Sequence, residues 1–75
     1  MSGKVSFDYS KLRGRIIEKC GNYKTFANAI GLSSTAVSLK LCNKAYFSQT
    51  DINKAVDVLD IEPGSVGAYF FTQRL

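Results

Sequence analysis

Three observations predict an all-α fold, a compact bundle of four to five short helices. Apolar residues recur at helical spacing in several separate segments. Capping and turn residues punctuate those segments at the right places. Elsewhere no run alternates apolar and polar residues with period two over a useful length. The chain has 75 residues, of which 45% are hydrophobic. That is enough for one small core and one domain, residues 1–75, without metals or disulfides.

The first helix is predicted over residues 10–20. Leu12, Ile16 and Cys20 fall at i, i+4 and i+8 with Ile17 alongside, which makes one apolar stripe. Asp8 or Ser10 can cap its start, and Gly21 suits the left-handed residue that ends it. A second helix fits residues 23–30, with Asn22 as N-cap and Phe26, Ala27 and Ile30 as its apolar face. Gly31 then supplies a positive φ for a tight turn. The third helix fits about residues 34–42, capped by Ser33, with Val37 and Leu41 sharing a face and Asn43 tolerating the left-handed position beyond it.

The fourth helix has the strongest local signal. Ser48 and Asp51 resemble a capping box, Phe47 and Ile52 are placed as a hydrophobic staple, and Ile52, Ala55, Val56 and Leu59 repeat at i, i+3, i+4 and i+7. A fifth helix can start at Pro63, burying Val66, Tyr69 and Phe70. Gly64 and Gly67 each weaken it by roughly 1 kcal/mol relative to Ala. The alternative is that residues 68–72 are extended, because Tyr-Phe-Phe-Thr favours strand. Residues 1–7 read as a loose arm whose Phe7 docks on the core, and residues 72–75 as a tail.

The charge is uneven. Residues 1–44 hold eight cations against two carboxylates, a net +6, whereas residues 45–75 are net −2. A basic face raises affinity for phosphate and speeds encounter with a polyanion. The bland reading of the same lysines is a solvated surface. Cys20 and Cys42 are the only cysteines and there is no histidine, so no tetrahedral zinc motif is present. No signal peptide and no apolar stretch near 20 residues is visible, so free thiols in a reducing bacterial cytoplasm are expected. With no histidine, no paired-carboxylate constellation and no phosphate-cradling glycine loop, neither an enzyme nor a cofactor or metal site is expected, and no small-molecule substrate.

The residues from Phe26 to Ser38 each have a mechanical role if two helices cross steeply at a short turn. Ala27 is small where the axes approach, Gly31 makes the turn, and Ile30, Leu32 and Val37 fill the wedge. The residues left outward at the start of the third helix are short and polar: Ser34, Thr35 and Ser38. Small outward residues let a helix enter the major groove, where hydroxyls reach base edges.

This pattern, Ala27 to Gly31 to Val37 with a Gly-Leu-Ser turn, resembles the helix-turn-helix of the Cro/repressor (XRE-like) family, and residues 7–71 resemble small phage regulators of that type. The resemblance implies a lambda-repressor-like fold and a sequence-specific transcriptional regulator that binds a double-stranded DNA operator as a homodimer. It implies that Ser34, Thr35, Ser38 and Leu39 face the bases, and that Tyr23, Lys24, Ser33, Asn43 and Lys44 meet the DNA backbone. The sequence departs from the family at four places: Tyr23 stands where Gln is common, Lys40 where an apolar core residue is usual, Cys42 where Asn is frequent, and Asn43 where Gly is. Lys40 leaves open a rotated third helix in which Leu41 takes over packing. Without Arg or Gln on that helix, bidentate readout of G or A is absent.

Several residues carry two readings. Leu39 is a thymine-methyl contact or a packing residue. Tyr46 contacts phosphate or packs. Arg13 and Arg15 lie on a solvated face or touch DNA. Val66, Tyr69, Phe70 and Phe71 close the core or form a dimer seam. The alternative function is a protein-interaction module with the same fold, such as an antitoxin-like subunit.

Overall fold

The computed structural model describes residues 6–73. Five helices follow in order: α1 (Ser10–Cys20), α2 (Tyr23–Ile30), α3 (Ser34–Leu41), α4 (Gln49–Val58) and α5 (Val66–Phe70), the last entered through a 3-10 turn at Pro63–Ser65. Among the described residues there is no strand, only an isolated antiparallel bridge between Phe7 and Gln73. No helix among them is long and apolar enough to cross a membrane.

α2 is the hub. It packs on α1, α3 and α4, and α5 closes against α1. Phe26 and Ala27 are fully buried there, with Leu12 and Ile16 of α1, Val37 and Leu41 of α3, and Ala55 and Leu59 around them. The predicted stripes are therefore the faces that meet. Ala27 is the small residue that lets neighbouring side chains close over α2.

The helix ends explain why the elements stop where they do. Asn22, Ser33 and Ser48 accept hydrogen bonds from the N–H groups of Thr25, Ala36 and Asp51, each satisfying a donor the helix leaves open. Three C-termini close in one way. Leu32 N–H donates to Ala27 C=O, Lys44 N–H to Leu39 C=O and Ile61 N–H to Val56 C=O, with Gly31, Asn43 and Asp60 as the left-handed residues inside each turn. These are Schellman motifs. α1 starts differently from its simplest reading: Tyr9 is the cap position, and the Asp8 carboxylate accepts from both the N–H and the hydroxyl of Ser10.

At the N-terminal end Phe7 docks on the core as expected. Its N–H donates to Asn43 Oδ1 at 2.8 Å, and Asn43 Nδ2 donates back to Phe7 C=O at 2.9 Å. Residues 1–5 of the expected arm and residues 74–75 of the expected tail lie outside the described residues. Residue 72 is not the start of a free tail, since Thr72 C=O accepts from Asp8 N–H at 2.7 Å. Aromatic rings reinforce this closure in edge-on or tilted pairs: Phe71 on Phe7, Phe7 beside Tyr9, Tyr9 on Phe47 and Phe47 on Phe70. Phe70 is 1% exposed, so it belongs to the core and cannot form a dimer seam. Val66 and Tyr69 pack half-buried against that core. α5 stops at Phe70, Phe71 is not extended (φ −127°, ψ 18°), and the bridge to Phe7 is made by Gln73. The helical reading holds for residues 66–70, and the extended reading of residues 68–72 does not.

Lys40 explains how α3 tolerates a lysine at a core position. Its ammonium lies 3.2 Å from Asp51 Oδ2 and donates to Tyr46 C=O at 2.8 Å, with the Phe47 ring 5.9 Å away. Asp51 is at once the capping-box residue of α4, accepting from Ser48 N–H at 3.0 Å. Burial by itself would raise the Asp51 carboxyl. The Ser48 N–H, Lys40 and the Ser48 hydroxyl outweigh it and hold it below the ordinary carboxylate value.

Two outcomes are expected. Asp51→Asn leaves the Lys40 ammonium without its anion and should cost about 1–3 kcal/mol at neutral pH. Because the folded carboxyl is depressed, its contribution is present above the unfolded value near ~3.9 and is lost as pH falls through the folded one. The gap between wild type and variant in urea titrations should therefore close below about pH 4. Gly14→Ala should stabilise the monomer by about 0.5–1 kcal/mol, because a Cβ at that mid-helix position meets nothing of its own chain within 4 Å; thermal melts of dilute protein check this.

Candidate functional site

The unit built by α2, the Gly31-Leu32-Ser33 turn and α3 carries the site. With Val37 and Leu41 buried and Lys40 turned toward Asp51, the opposite side of α3 must face outward. Ser34, Thr35 and Ser38 are exposed, and Leu39 is 42% exposed. The structure brings these four together on one outward strip. Leu41 does take over packing, at 2% exposure.

The residues expected to flank this strip divide. Lys24, in the first turn of α2, is exposed, as is Lys44 just past α3. Ser33 is exposed while its hydroxyl caps α3 by accepting from Ala36 N–H at 3.1 Å. Tyr23 is half-buried against the core, with the Arg13 guanidinium 6.0 Å from its ring centre. Asn43 also has a structural role. Its Oδ1 accepts from Phe7 N–H and its Nδ2 donates to Phe7 C=O, which leaves one amide N–H and one Oδ1 lone pair uncommitted to Phe7. That also explains why Asn stands at this left-handed position: Gly would permit the turn but could not hold Phe7.

The basic half of the sequence is not one basic face. Arg13 donates to Leu41 C=O at 3.3 Å, and its guanidinium lies 3.9 Å from Cys42 Sγ. Arg15 donates to Leu59 C=O at 2.8 Å and Asp60 C=O at 3.1 Å, and pairs with Glu18. Lys19 pairs with Asp60 at 3.4 Å, and Lys11 lies over the Tyr69 ring. Arg13 and Arg15 are not simply solvated, being half-buried with carbonyl partners within the fold. They hold the carbonyl ends of α3 and α4, where a cation suits the helix dipole.

Among the described residues, Lys24, Lys44 and Lys54 have no ion-pair partner within the 4.0 Å that marks the pairs above. Lys54 was not legible as a site residue. It lies in the acidic half, and its Nζ comes within 3.8 Å of where a Cβ on Gly31 would sit. Only the packing of α4 on α2 brings it to the turn. Lys24 thus stands in the first turn of α2, Lys44 just past α3, and Lys54 reaches from mid-α4 to the Gly31 turn between them. No group of three or more His, Cys, Asp or Glu side chains converges among the described residues, and no pocket is present. The strip is a surface suited to recognition by hydroxyls, one apolar side chain and flanking cations.

Comparison with known proteins places the chain in a family. It belongs to the family described as protein of unknown function (DUF739), which matches residues 5–73. It is similar to the modulator of repression (MOR) of the temperate bacteriophage TP901-1 from Lactococcus lactis, known from a solution structure. The two share 50% sequence identity over 88% of this chain and 89% of that one, with a TM-score of 0.76. No protein of curated function matches.

The Asn43 clip yields a prediction. Asn43→Ala loses the two bonds to Phe7 and strains a residue at φ 64°, and should cost about 2 kcal/mol in chemical denaturation. Asn43→Gly should recover the strain part only, leaving a deficit of about 1 kcal/mol. Equal stability of all three proteins would contradict the clip.

Proposed function

We propose that this member of the family is a phage-type transcriptional regulator that works through the outward strip of α3, and that its ligand is double-stranded DNA. The observation that carries the reading is the strip itself: Ser34, Thr35, Ser38 and Leu39 exposed together on one helix, bracketed by Lys24, Lys44 and Lys54. The lysines would meet phosphates. The hydroxyls would hydrogen-bond base edges, and Leu39 would lie against a thymine methyl. Two copies on adjacent half-sites would supply specificity that one strip lacks, with the Cro-like role of occupying a promoter against polymerase. The resemblance in sequence to a phage modulator of repression supports the regulatory role.

A second reading has its own support. The strip carries no cation and no Gln, most cations of the first 44 residues serve the fold, and Leu39 is an exposed apolar residue. Those features suit a protein-interaction module whose α3 strip docks on a protein component of the repression apparatus.

Salt dependence separates the two. With three lysines on phosphates, log K should fall with log salt at a slope of about −2 to −3 per subunit. Lys44→Ala should lower that slope by about one and weaken all sequences alike. Thr35→Ala or Ser38→Ala should weaken a selected operator by roughly 1–2 kcal/mol while sparing nonspecific duplex. No binding to mixed duplex at ~50 mM salt and micromolar protein would remove the DNA reading and leave the protein-docking one.

A further inference from the structure

Outside the α3 strip, the outward face of α1 has no explanation within the chain. Its centre is Gly14. Glycine is the poorest helix former after proline, and here neither a positive φ nor a close neighbour calls for it, because a Cβ would meet nothing within 4 Å. One helical step away Ile17 is 47% exposed. On the other flank of Gly14, Lys11 and Glu18 stand seven residues apart, both exposed. A helix with a notch at its centre, an apolar knob on one flank and opposite charges spaced evenly about the notch on the other is complementary to itself.

We propose that this face is a homodimer seam in which α1 packs antiparallel on α1 of a second copy. A two-fold axis crossing the helix pair between residues 14 and 15 sets Lys11 of each copy opposite Glu18 of the other. The same axis lets Ile17 of each copy close over Gly14 of the other, where the missing side chain allows the helices to approach. A parallel pairing would oppose like charges, so the charge pattern selects the antiparallel one. Lys11 and Glu18 have donors and acceptors to spare: the Lys11 ammonium rests over the Tyr69 ring, and Glu18 offers one carboxylate oxygen to Arg15. The seam differs from one formed by Val66, Tyr69, Phe70 and Phe71, of which only Phe71 is largely exposed, at 53%. It also leaves α2 and α3 uncovered. It does not depend on what the α3 strip binds.

Sedimentation equilibrium tests it without any ligand. The wild type should show a concentration-dependent monomer–dimer equilibrium. Gly14→Leu should be monomeric while its melting temperature is no lower. Lys11→Glu and Glu18→Lys should each weaken the dimer roughly tenfold, and the double reversal should restore it to within about threefold of wild type, since surface pairs act twice in a symmetric seam. A wild type that stays monomeric at ~0.5 mM, where even a weak pair would form, overturns the proposal. So does a dimer unaffected by Gly14→Leu, or one dissolved by Phe71→Asp instead.

Discussion

The partly buried ion pair between Lys40 and Asp51 sets the orientation on which the candidate site depends. Lysine at a position facing the core would ordinarily be expelled toward water, and α3 would rotate with it. Asp51 prevents this by meeting the ammonium at 3.2 Å, and Tyr46 C=O accepts a hydrogen bond from it. With Lys40 held inward beside Val37 and Leu41, helical geometry places Ser34, Thr35, Ser38 and Leu39 outward. The same carboxylate closes the capping box of α4. One side chain therefore fixes both the start of α4 and the rotation of α3.

Net charge and usable charge differ in this protein. The excess of cations in residues 1–44 invites the picture of a broad phosphate-binding face. In the fold, Arg13 and Arg15 serve the carbonyl ends of α3 and α4, Lys19 pairs with Asp60, and Lys40 is half-buried. Four lysines make no ion pair among the described residues: Lys11 on α1, over the Tyr69 ring, and Lys24, Lys44 and Lys54 by the α2–turn–α3 unit. Long-range attraction to a polyanion remains, but in the DNA reading proposed above only the last three would meet phosphate beside the strip. A ligand bound here is met by few cations and by short hydroxyl side chains, which gives modest affinity per copy and makes pairing of copies valuable.

The local signals were legible because their physics is local. The bounds of α1 and α2, the caps Asn22, Ser33 and Ser48, and the left-handed Gly31 and Asn43 all rest on residues within a turn of one another. The outward strip of α3 was legible for the same reason, once Leu41 is placed in the core. What the sequence hid is tertiary. The partner of Lys40 stands 11 positions away at the head of another helix. Asn43 reads as a simple turn residue, yet its amide anchors Phe7, 36 positions earlier. Lys54 joins the site only through packing of α4 on the turn. α5 is shorter than its apolar pattern allows because Gly64 and Gly67 weaken it and Pro63–Ser65 forms a tighter 3-10 turn instead.

The central claim is that recognition runs through the outward strip of α3. Amide chemical-shift mapping of the labelled protein, titrated with a short mixed-sequence duplex at low salt, tests it most directly. The account predicts that the largest shifts fall on Ser34, Thr35, Ser38 and Leu39, with Lys24, Lys44 and Lys54 at the margins, and that they collapse as salt is raised. Shifts centred on α1 or α5 with α3 silent would contradict it.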